Sequence, residues 1–229
     1  MNRDLPLQVA IDGPAASGKT TVARATARRL GILNLDTGAM YRAVAYLALR
    51  TGTDVDNDSA LVRMLDQQPV TVELDQSAPL GFRVFGGGQE LGERDLQAND
   101  VTAIVSAVSA NPGVRAAMVV SQQAIASRWP VVMAGRDIGT VVLPNAQVKI
   151  YLTASTGARI YRRRLQLERA GVNVDSHRLA QEIEERDRLD ATRAVSPLAP
   201  AADAHVIDSS DINADEVVDK ICAIVANAR

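Results

Sequence analysis

GPAASGKT, at residues 13–20, has the spacing Gly, four residues, Gly-Lys-Thr, and it follows the apolar run Val9-Ala10-Ile11. A helical pattern begins where this stretch ends and continues to about Leu30. Loops of this kind wrap backbone N–H groups around phosphate oxygens, and the following helix N-terminus adds about half a positive charge. Gly13 and Gly18 permit torsions and a close approach that a Cβ would block. Because a buried strand precedes the stretch and a helix follows it, a phosphate-binding loop is favoured over a chance match in a surface turn.

The polar groups of residues 13–20, called the phosphate loop below, have predicted tasks. Lys19 would lie along the terminal phosphates of a nucleoside triphosphate. The Thr20 hydroxyl would bind the magnesium ion that accompanies those phosphates. The predicted triphosphate contacts are Gly13, Pro14, Ala15, Ala16, Ser17, Gly18, Lys19, Thr20 and Thr21.

The composition is that of an ordinary globular protein with a substantial core, since 47% of the 229 residues are hydrophobic and 23% are charged. A net charge of −2 argues against binding along a nucleic-acid polymer, so any anion site must be local. The single cysteine excludes an intramolecular disulfide. No apolar run approaches the roughly 20 residues of a membrane span. We therefore expect a cytoplasmic monomer with neither a membrane nor a nucleic-acid partner.

Strand-like apolar runs alternate with helical patterns along most of the chain. The runs after the first strand lie at about 32–35, 130–134, 148–152 and 204–208. The alternation predicts an α/β protein, a three-layer P-loop fold with a central parallel sheet covered on both faces. Ligands of such sheets bind beyond the carboxyl ends of the strands. The polar loops expected to converge there are 13–20, Asp36–Gly38, Gly135–Asp137 and Thr153–Ser155.

Two segments depart from that alternation. Around glycine-containing turns, Val70–Leu74 and Phe82–Phe85 alternate with period two, so residues 67–95 are predicted to form a small antiparallel β insertion. Two polar helices are predicted at about 155–170 and 175–190. They are either solvated helices whose charges balance, or a helical lid that brings positive charge to a transferring phosphoryl group. We predict the lid, with Lys19, Arg159, Arg163 and Arg186 as the catalytic residues.

Two further arginines suggest a second anion site opposite the phosphate loop. Arg42 lies one turn into the helix that follows Asp36–Gly38, and Arg136 follows a strand. A guanidinium holds phosphate through two parallel hydrogen bonds, and a charge-assisted bond contributes about 1.5–3 kcal/mol. The alternative is a surface ion pair, for example between Arg136 and Asp137. The strand-end positions favour an acceptor that is itself a phosphate.

Four motifs, in order and over nearly the whole chain, resemble those of the bacterial cytidylate kinases. They are IDGP at 11–14 with the phosphate loop, LDTGAMYR at 35–42, AGRDIGTVV at 134–142 and RAVSPL at 193–198. The resemblance implies in-line transfer of the γ-phosphoryl group from ATP, with Mg²⁺, to CMP or dCMP. It also implies three regions: a nucleotide-binding core of 1–36, 111–153 and 191–229, a monophosphate-binding region of 37–110, and a lid with its following helix at 154–190.

The same resemblance implies the residues that bind the acceptor. They are Thr37, Arg42, Arg136 and Arg193 at the monophosphate with Tyr41 alongside, Ser106, Arg115 and Asp137 at the base, and Arg186 and Asp190 near the ribose. Cytosine presents an amino donor beside two acceptors, so a carboxylate and an arginine could recognise it together. Uracil would place a carbonyl against Asp137, and we expect repulsion there.

The sequence departs from the pattern in places and leaves other functions open. Ala16 stands where these kinases often carry glycine. After the strand at 130–134 the only acidic residue placed to hold magnesium is Asp137, so Mg²⁺ is expected on Thr20, phosphates and water, with Asp36 nearby. The alternatives are a P-loop kinase for UMP, AMP or a shikimate-like acceptor, and a non-catalytic protein that senses nucleotides.

Overall fold

A parallel sheet forms the centre of the molecule. The computed structural model describes residues 6–75, 77–78, 81–169, 171–172, 175–193 and 195–228. The strands are β1 Gln8–Asp12, β2 Leu33–Asp36, β3 Val70–Leu74, β4 Phe82–Gly86, β5 Gln89–Leu91, β6 Val131–Gly135, β7 Val148–Thr153 and β8 His205–Asp208. Five of them pair in parallel in the order β2-β6-β1-β7-β8. The prediction of a central parallel sheet is confirmed.

Helices cover both faces of this sheet. They are α1 Lys19–Leu30, α2 Thr37–Thr51, α3 Asp58–Gln67, α4 Glu93–Gln97, α5 Asn99–Ala110, α6 Pro112–Ala126, α7 Thr156–Arg169, α8 Ser176–Thr192 and α9 Ala214–Ala228. Successive strand residues point to opposite faces. Val9 and Ile11 accordingly pack in the layer that contains α1 and α9, whereas Ala10 packs in the layer of α2, α5 and α6. The three-layer arrangement is confirmed.

The predicted β insertion forms a separate antiparallel sheet, β3-β4-β5. Its buried face, which includes Phe82 and Val84, packs in the same hydrophobic core as Leu47 of α2. The range assigned to the insertion, 67–95, ends inside the helix Glu93–Gln97, and the Asp95 side chain accepts a hydrogen bond from the Gly92 N–H. Sequence periodicity could not show this helix because it lasts only five residues.

A short π-helix, Ile138–Val142, follows β6 and was not predicted from the sequence. Its β-branched residues resemble those of a strand, so its local sequence does not favour a helix. Because β1, β2, β6 and β7 are parallel, the loops that follow them all lie at one edge of the sheet, as expected.

No single helix in the described ranges is long and apolar enough to span a membrane; only α5 and α6 taken together would qualify, and they meet at 91°.

The chain passes close to Leu152 where β1 enters the phosphate loop, so replacement by alanine should destabilise the protein more at Gly13 than at Gly18. A Cβ on Gly13, where φ is +153°, would lie 2.0 Å from the Leu152 carbonyl oxygen. A Cβ on Gly18, where φ is +94°, meets nothing within 4 Å in the described part of the chain. In urea denaturation, Gly13→Ala should lower the free energy of unfolding by about 3 kcal/mol or more. Gly18→Ala should lower it by about 1–2 kcal/mol. Equal losses would show that the contact with Leu152 is unimportant.

Candidate active site

The phosphate loop is held by its own backbone and by a buried lysine. Gly18, in the left-handed region, is the N-cap of α1. Lys19 is buried, and its Nζ donates to the Pro14 carbonyl at 2.6 Å and to Ser17 Oγ at 3.4 Å. Burial lowers the pKa of Lys19 well below its ordinary value, and the charges of Arg136 and Arg186 act in the same direction. Lys19 therefore lies inside the loop, where a positive charge without a nearby anion is unfavourable.

Ala16, the residue found in place of glycine, adopts a left-handed conformation with φ 58°. This conformation costs a residue with a Cβ roughly 1–2 kcal/mol. The loop thus retains the backbone path expected of a glycine while carrying an alanine.

The end of β2 supplies a carboxylate to the opening of the loop. Thr20 is exposed, and its hydroxyl donates to Asp36 Oδ2 at 2.7 Å. The other Asp36 oxygen accepts from the Gly38 N–H at 3.0 Å and caps α2. Thr21 is also exposed. Among the described residues there is no group of three or more His, Cys, Asp or Glu side chains that could hold a metal ion.

The two polar helices α7 and α8 both contact the phosphate loop. Arg159 donates to the Ala15 carbonyl at 3.2 Å and forms an ion pair with Asp187. The other Asp187 oxygen accepts from the Ala15 N–H at 3.2 Å. Arg162 also donates to Ser209 Oγ at 2.9 Å, beside the last strand. A carboxylate therefore accepts from the Ala15 N–H, a backbone donor that was predicted to bind phosphate.

Five cationic side chains from different elements face one another beside the loop, and we call them the cationic cluster. They are Lys19, Arg42, Arg136, Arg163 and Arg186. Burial first, and then the charges of Arg136, Arg42 and Arg163, lower the pKa of Arg186 to about 10, while Asp190 opposes the change. Arg186 Nε is buried and has no hydrogen-bond partner among the described residues. The cluster has the charge and the unused donors of an anion site.

Hydrogen bonds fix two members of the cluster. Arg42 donates to the Leu96 carbonyl at 3.1 Å and to Thr102 Oγ1 at 2.9 Å. Arg136 Nε donates to Asp190 Oδ2 at 2.7 Å. Burial opposes ionisation of Asp190, but Arg136 and the other arginines around it hold its pKa below the ordinary value.

A second, deeper group surrounds Asp137. Its carboxylate forms an ion pair with Arg115, and both side chains are almost fully buried. Arg115 also donates to the Ser109 carbonyl at 3.0 Å and lies over the Tyr41 ring, 5.4 Å from the centroid. Arg193 Nη2 is 3.8 Å from the other oxygen of Asp137. The structure thus brings together four of the residues predicted for the acceptor.

Two other predicted acceptor residues are placed differently. The Thr37 hydroxyl is buried and donates to the Ala134 carbonyl at 2.9 Å, so its proton is already used. Ser106 is half-buried on α5, and its carbonyl accepts from the Ser109 hydroxyl at 3.1 Å. Ser106 is therefore linked to Arg115 through Ser109.

Burial raises the pKa of Tyr41 to about 12, so its phenol is neutral at physiological pH.

Sequence reasoning gave no role to Asp12, at the end of β1. Its carboxylate is buried and accepts from the Ile138 N–H at 2.8 Å and the Gly139 N–H at 2.7 Å. Burial raises its pKa from 3.8 to about 6 in spite of these two bonds. The sequence signals were the place of Asp12 in the IDGP motif and its position as the acidic last residue of β1.

The fold and these two polar groups define a phosphate-loop kinase. Within that class, the chain belongs to the cytidylate kinase family, whose sequence model matches residues 9–227. Cytidylate kinase from Pelotomaculum thermopropionicum is 48% identical over 221 residues, which cover 96% of each chain. That from Nocardia farcinica is 44% identical and covers 99% of this chain and 96% of its own. The activity of the chain is accordingly phosphorylation of CMP and dCMP.

Two further similarities concern a longer protein and a solved structure. A bifunctional pantoate ligase/cytidylate kinase from Synechococcus sp. is 45% identical over 93% of this chain, which spans 39% of that longer protein. Among solved structures, shikimate kinase from Acinetobacter baumannii in complex with shikimate aligns with 99% of this chain and 96% of its own. Its TM-score is 0.47 at 18% identity.

The burial of Asp12 should appear in the pH dependence of stability. The folded protein keeps the Asp12 proton up to about pH 6, whereas the unfolded chain releases it near 3.8. The contribution of Asp12 to the free energy of unfolding therefore falls as the pH rises between those values, by about 3 kcal/mol in total. Asp12→Asn should lack this component. Urea denaturation of both proteins between about pH 4 and pH 7 measures the difference, and parallel curves would contradict the assignment.

Proposed function

We propose that the phosphate loop holds ATP, that the cationic cluster holds the phosphates between which transfer occurs, and that CMP or dCMP binds beside Asp137. The observation that carries this proposal is the cationic cluster itself. Its side chains come from separate elements, yet burial, and then the charges of their neighbours in the cluster, lower the pKa values of Lys19, Arg42 and Arg186. Such crowding is unfavourable unless an anion binds among them. Two substrates that both carry phosphate would supply that negative charge.

The buried Arg115–Asp137 pair is proposed to read the base. A carboxylate oxygen would accept from the cytosine amino group, and the guanidinium would donate to N3 and O2. Ser106 would complete the base side, and Tyr41 would lie alongside the monophosphate. Arg42, Arg136, Arg193 and Thr37 would hold the acceptor phosphate, and Arg186 and Asp190 would lie near the ribose. Thr37 could donate to the phosphate only by giving up its bond to Ala134.

Mg²⁺ is proposed to bind at Thr20, and the donor set fits this ion. Mg²⁺ prefers oxygen ligands, keeps several waters and is often bound through substrate phosphates. The exposed Thr20 hydroxyl and the Asp36 carboxylate beside it supply such oxygens next to the loop. The ion would neutralise charge on the phosphates of ATP.

Catalysis is proposed to depend on positioning and charge neutralisation, with Lys19, Arg159, Arg163 and Arg186 around the transferred group. A phosphate oxygen of CMP needs little deprotonation at neutral pH, so Asp137 is a binding group and not a base. Asp187 must release the Ala15 N–H when a phosphate takes its place, because the two anions repel each other. Closure of α7 and α8 would then exclude water, which would otherwise hydrolyse ATP.

The remaining parts of the proposal concern partners and location. ATP and CMP or dCMP are small anionic metabolites, so we place the enzyme in the cytoplasm. We further propose that it acts as a monomer, since the residues assigned to both substrates come from one chain. A nucleic-acid polymer is not among the proposed partners, because the cationic cluster is a local feature of a chain with net charge −2.

A substrate panel tests the choice of acceptor. ADP release measured with CMP, dCMP, UMP, AMP and shikimate should be fastest with CMP or dCMP. Cytosine combines an amino donor for Asp137 with the N3 and O2 acceptors for Arg115, whereas uracil lacks the amino group and adenine lacks the O2 acceptor. Faster turnover with UMP would refute the assignment of the base. Binding of ATP without any turnover would instead favour the nucleotide-sensing alternative.

Replacing the carboxylate at position 137 tests base recognition. Asp137→Asn should lower kcat/KM for CMP by roughly 10- to 100-fold and reduce the preference for CMP over UMP, because the amide can face either base. Asp219→Asn, on the exposed face of α9, is the matched control and should keep wild-type values. A folded Asp137→Asn enzyme with an unchanged CMP-to-UMP ratio would exclude the proposed role.

Lys19 should be required for turnover but not for folding. Lys19→Met removes a buried charge, so the thermal midpoint should be unchanged or raised. Phosphoryl transfer to CMP should fall by about 1,000-fold or more, since charge stabilisation of this kind is a large part of catalysis. Transfer at the wild-type rate would refute the role proposed for the lysine.

A further inference from the structure

Asp12 joins the two loops that the proposed function assigns to the two substrates. It pairs with Gly135 in the parallel ladder between β1 and β6. Its side chain then bonds to the backbone of Ile138 and Gly139, the first two residues of the π-helix. The carboxyl ends of β1 and β6 are thus connected both by backbone hydrogen bonds and by the buried carboxylate of Asp12.

The residues next to this contact belong to the two proposed substrate sites. The next residue along β1 is Gly13, which begins the phosphate loop and packs against the Leu152 carbonyl. The residues immediately before the bonded N–H groups are Arg136 and Asp137. A shift of the Asp12 carboxylate would therefore move the donor loop relative to both of these acceptor residues.

We propose that Asp12 is a positioning residue that fixes the acceptor-binding turn, Gly135–Asp137, relative to the phosphate loop. This inference rests on the proposed function. In-line transfer requires the two phosphates at a defined separation, and a misplacement of about 1 Å can lower the rate about 100-fold. A residue that contacts neither substrate can thus control the rate through the separation of the two loops.

The chemistry of the contact requires a carboxylate. Two oxygens accept from two backbone N–H groups, and charge-assisted bonds are roughly twice as strong as neutral ones. An asparagine has the same shape but would direct its NH₂ group against one of those N–H groups. Lys19 on one side favours the ionised form, and Asp137 on the other opposes it. The pKa of about 6 leaves Asp12 mostly ionised at physiological pH in spite of its burial.

Gly139 offers an independent way to disturb the same contact. A Cβ there would lie 3.3 Å from Asp12 Oδ2 and 3.3 Å from Lys149 Cδ. Gly139→Ala therefore presses on the carboxylate without changing any charge. If both substitutions act through one contact, their effects on kcat should not add in the double variant.

The experiment compares wild type, Asp12→Asn, Gly139→Ala, the double variant and the control Asp219→Asn, all as the full chain. The readouts are kcat and KM for CMP, calorimetric binding of ATP, and the thermal midpoint. Asp12→Asn should lower kcat by roughly 10- to 100-fold while the Kd for ATP changes less than about threefold. Gly139→Ala should lower kcat by a smaller factor, and the double variant should be no slower than Asp12→Asn.

The outcomes separate the possible explanations. Unchanged kcat in a folded Asp12→Asn enzyme would overturn the inference. So would equal losses in ATP binding and kcat, or multiplicative effects in the double variant, because these indicate a general structural role. If Asp12→Asn does not fold, Gly139→Ala decides alone by the ratio of its losses in kcat and ATP binding. Failure of the wild type to phosphorylate CMP would instead count against the proposed function.

Discussion

Repulsion among cations at the carboxyl edge of the sheet is the constraint on which the rest of the site depends. Together with burial, the charge of Arg136 lowers the affinity of both Lys19 and Arg186 for protons, and Arg186 also lowers that of Lys19. The parallel sheet brings Lys19 and Arg136 together, because the loops after β1 and β6 end at the same edge, and α8 adds Arg186. Such a cluster can exist in a stable fold only if carboxylates hold its members in place, as Asp190 does for Arg136.

The carboxylates of the site differ in whether a bound phosphate would compete with them for hydrogen-bond donors. Asp190 and Asp137 bond to arginines and leave the loop N–H groups free. Asp187 bonds both to Arg159 and to the Ala15 N–H, a position that a phosphate would compete for. In the proposed reaction, binding of ATP therefore releases Asp187 and leaves Arg159 free to contact the phosphates. The same contact keeps the buried N–H group satisfied when no nucleotide is present.

The sequence predicted the features that local patterns determine. The phosphate loop is a contiguous motif, the strands are apolar runs, and their parallel order follows from the helices between them, so the meeting of four loops at one edge was predictable. The bond from Asp187 to Ala15 was not, because it joins residues 172 positions apart. The π-helix was missed because Ile138–Val142 reads as a strand. Asp12 was missed because its partners are backbone groups, which leave no trace in a sequence.

The two sides of the site also differ in whether their contacts could persist with substrates bound, and this difference suggests how selectivity and closure are divided. Arg115 and Asp137 are buried, bonded to each other and joined to β6 and α6, so they are ordered before any base binds. Groups held in advance lose little entropy on binding and discriminate well. The donor side instead depends on α7 and α8, whose contacts to the phosphate loop include the bond between Ala15 and Asp187, which a phosphate must replace. Base selection would then reside in the fixed half of the site and water exclusion in the half that closes. Asp12, between the two halves, would keep their separation constant while only one of them moves.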